Sequence, residues 1–394
     1  MERKKLYLFT VSYPYDFAIE ANFILPEIQR WKDQYDEVIF VPSIIKGEFD
    51  SSAIHDQCRV DESLAKAFAE GNRWKWMFHW NFWRLFGQVV FQVWSVSPFK
   101  MSLYVNGVFF VIRMLISQRF IKQRELKAGV DAYTFWNTFI TAALADLKGY
   151  QGKRWTRVHG DDFYPERQGG LIYFERKTYQ NLDKIVFVSH LAKDYWAMRH
   201  PNLSTSTEVS YLGVKVPSDW KVAPVMPSRS PLKIFSCSGL NKVKRIALCN
   251  ELVSHWNYAH PNQTIEWHHL GATAEEISDW IGSKTCAIGH GWMSQTQVLD
   301  WILKENPMCL ISVSESEGFP VSMQEAMLCG VPILAAANGG MVEAVNMCKG
   351  WMLSTLPTIE EFDERISAIM ALSDEEILKH RQFVLDIANA HFLR

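Results

Sequence analysis

Glu317 and Glu325 lie seven intervening residues apart in the stretch SVSESEGFPVSMQEAMLCGVPILAAANGGMVEAV, residues 312–345. Gly318 and Pro320 stand between them and mark a strand-to-helix turn, since proline suits the opening of a helix, where an N–H would go unbonded anyway. Glu317 then belongs to the turn, and Glu325 lies a little over one helical turn further in. In a doubly wound sheet that turn falls at the carboxyl edge, where ligands bind. The free N–H groups around Val321 and Ser322 favour a phosphate there, and Glu325 is placed to accept hydrogen bonds from paired ribose hydroxyls. Any strand–turn–helix unit offers as much, and the same two carboxylates also fit a helix cap and a solvated surface.

The elements needed to hold such a site are legible on both sides of it. Apolar β-branched runs at 6–11, 38–41, 156–159, 184–189 and 209–212 read as strands, with helices at 133–147 and 191–198. Residues 217–231, PSDWKVAPVMPSRSP, lack periodicity and read as a linker. Beyond it strands at 232–236, 264–270, 286–289, 309–313 and 331–335 alternate with helices at 246–256, 273–281, 294–303, 321–328 and 358–372. Alternation of this kind implies an α/β chain with parallel sheets, as two doubly wound, Rossmann-like domains facing a cleft. The expected division is 1–216, the linker 217–231, 232–373, and a final helical segment 374–394 able to pack back on the first domain.

A chain of 394 residues with 41 basic and 43 acidic side chains is near neutral, with a net charge of −2, which argues against nucleic acid as a partner. The average conceals an asymmetry. Residues 71–130 hold nine basic residues against the single acid Glu125, a net of +8, so the remainder carries −10. The same block is rich in tryptophan: Trp76, Trp80, Trp83, Gly87, Val90 and Trp94 recur at helical spacing, with Phe78, Phe82, Leu85 and Val89 as a second stripe. An aromatic helix flanked by Arg and Lys fits an anionic membrane surface, where indoles settle among headgroups; a buried hairpin with tryptophan as core filler is the other reading. Its uncharged stretches of 15 and 12 residues fall short of a spanning helix. The seven cysteines are scattered and lack C-x-x-C spacing, as expected in a reducing compartment. The start MERKKLYLFTVS flows into a strand pattern rather than a signal peptide. Both features suggest a cytoplasmic location, peripheral at the inner face of the cell membrane.

Glu317…Glu325, Gly330 with Pro332, and Gly339, Gly340 with Glu343 reproduce the E-x7-E, G-x-P and G-G-x-x-E pattern of the family 4 glycosyltransferases, and the chain resembles that family. FSCSGLNKVKRI, IEWHHLG and GHGWMSQTQVLDWI extend the likeness, and RVHGDDFYPER is similar to an element of bacterial capsule, O-antigen and exopolysaccharide members. The resemblance implies a GT-B fold and a retaining, metal-independent transferase that moves a sugar from a UDP- or GDP-linked donor to a lipid-linked saccharide in surface polysaccharide biosynthesis. It implies catalytic roles for His159, beside the donor sugar, Lys244, neutralising the leaving diphosphate, and Glu317, touching the sugar hydroxyls. Donor binding falls to Arg245, Gly318, Phe319, Pro320, Val321, Ser322 and Glu325, with no metal and no cofactor. Gly239 replaces the arginine that the family commonly has five residues before Lys244, with Arg245 as a substitute charge. That departure motivates the alternative of a non-catalytic, membrane-associated relative that binds nucleotide or glycan. The family's Gly-rich first loop is absent; SYPYDFAIEANF stands there, offering Glu20 as a polar group and Tyr13, Tyr15 and Phe17 as acceptor contacts. Asp161 and Asp162 lack the D-x-D spacing of metal-dependent transferases, and His268, His269 and His290 lack ligand spacing and read as structural.

Overall fold

In the computed structural model, which describes residues 4–15, 20–51, 57–71, 73–124 and 130–393, the β-branched runs assemble into two seven-stranded sheets. The first holds β1 (Lys5–Thr10), β2 (Glu37–Pro42), β3 (Cys58–Val60), β4 (Val130–Thr134), β5 (Arg154–Val158), β6 (Lys184–Phe187) and β7 (Ser206–Val209) in the order β3-β2-β1-β4-β5-β6-β7. All of its pairings are parallel. β2 is buried along its whole length, as a central parallel strand covered on both faces must be.

The second sheet holds β8 (Leu232–Cys237), β9 (Ile265–Leu270), β10 (Ala272–Thr273), β11 (Ile288–Gly291), β12 (Cys309–Ser312), β13 (Ile333–Ala336) and β14 (Trp351–Leu353), ordered β10-β11-β9-β8-β12-β13-β14. Only the two-residue β10 runs antiparallel. Cys309 pairs with Ile234 and Leu310 with Phe235 across β8 and β12. In each sheet the order reverses once, between β1 and β4 and between β8 and β12. Crevices form at such reversals, outside the carboxyl ends of the strands.

The chain divides into one compact unit of Met1–Val188 with Lys193–Ser210 and a second of Ser189–Ala192 with Tyr211–Arg394. The segment expected to act as a linker, 217–231, therefore belongs to the second unit. So does the helix Asp374–His391. Its buried Arg381 donates to the Pro307 carbonyl and the Asn306 side chain, and Leu385 lies against Gly330, all in the second unit.

The expected helix over 133–147 is two elements: β4 ends at Thr134 and a helix runs over Phe139–Ala145. Thr138 breaks the run by forming a capping box with Thr141, and aromatic Tyr133 prefers the central strand.

The basic block forms the crossover into β4. A 3₁₀ turn, Arg73–Phe78, leads into the helices Trp80–Val96 and Met101–Gln123, separated at Pro98. Phe82, Leu85, Val89 and Val93 are buried in the core of the first unit together with Leu103, Val111 and Leu115 of the second helix. Trp80, Trp83, Val90 and Trp94 face outward, so both readings of the block describe part of it: one face is core and the other is exposed. Phe78 departs from its expected inner stripe and is 91% exposed, because the helix begins two residues later. Met101–Gln123 is a single 23-residue helix, long and apolar enough by length and composition to cross a membrane, although half of that stretch is buried within the fold. The expectation that these runs are too short to span is corrected to that extent: Arg113, Arg119 and Lys122 interrupt the apolar run without interrupting the helix.

Candidate functional site

β8 and β12 deliver two loops to the carboxyl edge of the second sheet, 238–245 and 313–320, and Glu315 N–H donates to the Val243 carbonyl at 2.7 Å to tie them together. Asn241 caps the short 3₁₀ turn Lys242–Lys244, fixing where Lys244 leaves the backbone. Its Nζ lies 2.5 Å from Glu317 Oε1, with Lys244 25% and Glu317 12% exposed. The two residues assigned catalytic roles in this unit thus form an ion pair. A small pocket beside them has Ser238, Lys244, Ser314, Glu317 and Ser322 among its polar lining, over an apolar floor that includes Ile246 and Leu310.

The glycine pair explains how Glu317 is held. Gly339 has φ +55° and a Cβ on it would lie 2.3 Å from the Glu317 carbonyl oxygen; a Cβ on Gly340 would lie 1.7 Å from that of Gly318. Gly340 N–H donates to the Glu317 carbonyl at 2.9 Å. No side chain other than hydrogen fits between these loops. The glutamate of the same motif, Glu343, accepts from the Tyr211 hydroxyl at 2.5 Å.

The helix Val321–Leu328 starts after Pro320, and the first bonds to the Pro320 carbonyl come from Met323 and Gln324. The Val321 and Ser322 N–H groups therefore precede the intrahelical ladder and can donate to an anion. Inside the helix, Glu325 is 5% exposed and accepts from Gln295 Nε2 at 3.0 Å. Burial lifts its carboxyl from 4.5 to about 7, partly offset by that hydrogen bond. Its charge also adds to the burial that pushes the Cys237 thiol up, which places Glu325 beside the end of β8. A buried carboxyl with one protein donor has acceptor capacity left for two hydroxyls.

Two donor-site expectations are placed elsewhere by the structure. Arg245, with φ +50°, turns from the pocket to donate to the Thr355 carbonyl at 2.8 Å and lies 4.0 Å from Glu315. The buried Phe319 ring packs on Tyr211 and Phe392, at centroid distances of 4.9 and 5.5 Å, leaving only its backbone toward the loop. A Cβ on Gly239 would meet nothing within 4 Å, so the space for a larger side chain is open.

In the first unit, β5 carries Arg157 into a buried pair with Glu27 and delivers His159 to the carboxyl edge. Asp162 organises this turn: one oxygen accepts from His159 N–H at 2.6 Å, the other from Asn137 N–H at 2.7 Å. The His159 ring is 7% exposed, and neither ring nitrogen has a hydrogen-bond partner among the described residues. It packs against Trp136 with centroids 4.0 Å apart and the ring planes tilted by 32°. An imidazole so placed has its hydrogen-bonding capacity unspent, as a ligand-facing group does.

Glu20 acts through the backbone of the loop after β1. It is 1% exposed and accepts from the backbone N–H groups of Val11, Ser12 and Tyr13 and from Trp136 Nε1 at 2.7 Å. It clamps the loop after β1 and fixes the indole on which His159 rests. Tyr13 is buried, with its hydroxyl pushed up by burial, and Tyr15 is bonded through its hydroxyl to Glu62, so neither faces an acceptor. Phe17, like Glu125 and Lys127 of the basic block, lies outside the described residues. Asp161 pairs with Arg167. His268 lies 2.9 Å from His290, and His269 bonds to Ser236 at 2.7 Å. Among the described residues no three His, Cys, Asp or Glu side chains gather to hold a metal ion.

Sequence reasoning missed Gln295 and Trp136. For Gln295 a signal existed, because Ser294 and Gln297 form a capping box that puts it in a helix's first turn. For Trp136 there was none, since its partner Glu20 is remote in sequence.

Part of the chain matches a known family, and its fold matches those of solved structures. Residues 281–382 match the family described as glycosyl transferases group 1. A relative described as colanic acid biosynthesis glycosyltransferase WcaL, from Escherichia coli (strain K12), is 24% identical over 259 residues. That alignment spans 60% of this chain and 60% of the relative's length. Among solved structures, TarM superposes with a TM-score of 0.68 at 9% identity over 99% of this chain and 96% of its own. Sucrose-phosphate synthase from Thermosynechococcus elongatus gives 0.66 at 12% identity, covering 99% of this chain and 95% of that one. The fold is GT-B, as the motifs implied.

Proposed function

We propose that this GT-B chain, with its group 1 glycosyl transferase segment, is a retaining glycosyltransferase that moves a sugar from a nucleotide diphosphate to a lipid-linked saccharide in surface polysaccharide assembly. The observation that carries the reading is the pocket at the β8/β12 reversal, where Lys244, Glu317 and Ser322 meet at the start of the helix that carries buried Glu325. Ribose hydroxyls donate to Glu325, favouring its ionised form. The diphosphate takes Lys244 and the helix N–H groups, and sugar hydroxyls meet Glu317 as Lys244 turns to the phosphate. The bond from the anomeric carbon to the diphosphate oxygen breaks and a bond to the acceptor oxygen forms on the same face. The acceptor's proton passes to the departing phosphate oxygen. Negative charge grows on the diphosphate during this step, so preorganised donors there supply the main electrostatic help, and no metal is required by the proposal.

The first unit takes the acceptor, with the outward face of Trp80–Val96 on the anionic inner leaflet. Exposed Trp80, Trp83, Phe91 and Trp94 beside Arg84 and Lys100 support that contact. Incubating the protein with UDP- and GDP-sugars and a lipid-linked saccharide, then analysing the lipid by mass spectrometry and proton NMR, tests the reading. It predicts a lipid heavier by one sugar whose anomeric configuration matches the donor's. An inverted linkage overturns the retaining mechanism. Donor binding with an unchanged lipid overturns the enzyme in favour of a binding protein, the alternative that Gly239 raises.

A further inference from the structure

A cavity of about 430 Å³ opens in the first unit at the carboxyl ends of β1, β2 and β4. Phe9, Ile44, Phe68, Trp136 and Phe139 give it an apolar wall. Every charged side chain lining it among the described residues is a cation: Lys66, Arg73 and Arg113. Lys66 is matched by Glu62 at 2.7 Å. Arg73 and Arg113 form no ion pair among the described residues. Arg113 lies over the Phe139 ring at 5.3 Å, and burial together with the charge of Arg73 holds its guanidinium below the ordinary value. Two neighbouring guanidinium groups without an acid repel, and a half-apolar site strengthens the repulsion. An anion between them reverses the sign, and paired forks suit phosphate oxygens.

What surrounds the arginines specifies the anion further. Trp74 follows Arg73 and packs on Phe109, one turn before Arg113, with centroids 5.8 Å apart and both rings partly exposed. At the other side of the cavity Trp136 carries His159. The cavity thus joins exposed aromatic rings, a cationic gate and, through Trp136, the His159 imidazole, whose ring nitrogens form no hydrogen bond among the described residues and lie 3.6 Å from Asp162 at their nearest.

We propose that this cavity seats the acceptor's phosphate: a phosphate or diphosphate ester of a lipid, with its oxygens between Arg73 and Arg113. The lipid chain leaves over Trp74 and Phe109, and the sugar points toward Trp136 and His159. The assignment rests on the lipid-linked acceptor reading and adds the residues that read its phosphate.

The test is calorimetric titration of the full chain with a water-soluble prenyl diphosphate, the matching prenyl alcohol, and inorganic pyrophosphate, each with saturating nucleotide diphosphate to occupy the donor site. The prenyl diphosphate should bind about tenfold or more tightly than either of the others. Arg73→Ala with Arg113→Gln should lose about that factor. The variant should keep its nucleotide affinity and unfold at the same temperature or higher, since a repulsion is removed. Pyrophosphate binding as tightly as the prenyl ester overturns the site as one for a lipid and marks a free-anion site. Variant affinity within about twofold of the parent also overturns it. If that variant still elongates lipid-linked saccharide at the parental rate, the site is wrong while the transferase reading stands. If the parent neither binds the prenyl diphosphate nor elongates the lipid, the acceptor reading falls with it.

Discussion

Lys244 and Glu317 show how much one side chain's partner changes its meaning. Each was expected to meet a different part of the donor, and in the structure each neutralises the other at 2.5 Å. In the proposed reaction Lys244 exchanges its Glu317 partner for a diphosphate, whose negative charge is greatest late in bond cleavage. Lys244→Ala should lower kcat by more than about tenfold while changing donor affinity much less, measured by steady-state kinetics with binding by calorimetry; equal losses in both would contradict the role. Glu325 carries a second prediction. Its carboxyl keeps a proton up to about pH 7 in the folded chain and to about 4.5 otherwise. The folded state thus binds the extra proton between those values, and its stability falls as pH rises through that window, by up to about 3 kcal/mol. Glu325→Gln should match the parent near pH 5 and exceed it near pH 8 in denaturant unfolding; parallel curves would refute the buried carboxyl. The spacing of Glu317 and Glu325 was visible in the sequence because strand, turn and helix are local. Their partners Lys244 and Gln295 were not fixed by it, because they arrive from other strands and helices.

At the scale of elements, the chemistry depends on loops that touch backbone to backbone. Gly340→Ala would put a methyl group at 1.7 Å from the Gly318 carbonyl oxygen, which only a shift of the Glu317 loop can relieve. The expected cost is about 1–3 kcal/mol of stability, with a larger loss of turnover, read by thermal unfolding and donor hydrolysis. Retained activity would show that Glu317 needs no fixed backbone. The same scale is where periodicity succeeded and failed. The helix Val321–Leu328 and the strands β8, β9 and β12 follow their apolar patterns closely. β4 was concealed because Tyr133, Phe135 and the apolar residues of Phe139–Ala145 run together, and only the Thr138 cap separates them. In the aromatic helix, spacing separated the two faces correctly, while which face meets the core was settled by packing. Replacing Trp80, Trp83 and Trp94 by Ser should leave the unfolding temperature nearly unchanged and abolish flotation with anionic vesicles. A large drop in that temperature would make these indoles core residues.

For the molecule as a whole, the net charge of −2 is the sum of a +8 block and a −10 remainder. On the helix Trp80–Val96 the indoles face outward while Phe82, Leu85, Val89 and Val93 face the core. Binding to vesicles should require anionic lipid and weaken as salt rises, because the Debye length falls from about 10 Å at 0.1 M to about 3 Å at 1 M. The GT-B fold itself was legible from strand–helix alternation and the motifs, whereas the division at Ser210 and Tyr211 was not, since 217–231 has a linker's composition yet packs with the second unit. The central claim is glycosyl transfer from a nucleotide sugar, and nucleotide diphosphate release in the presence of lipid-linked saccharide measures it most directly. The account predicts acceptor-dependent release by the parent chain and its loss by about a hundredfold or more in Glu317→Ala with nucleotide binding retained. Donor binding with no release from the parent chain, across UDP- and GDP-sugars, would contradict it.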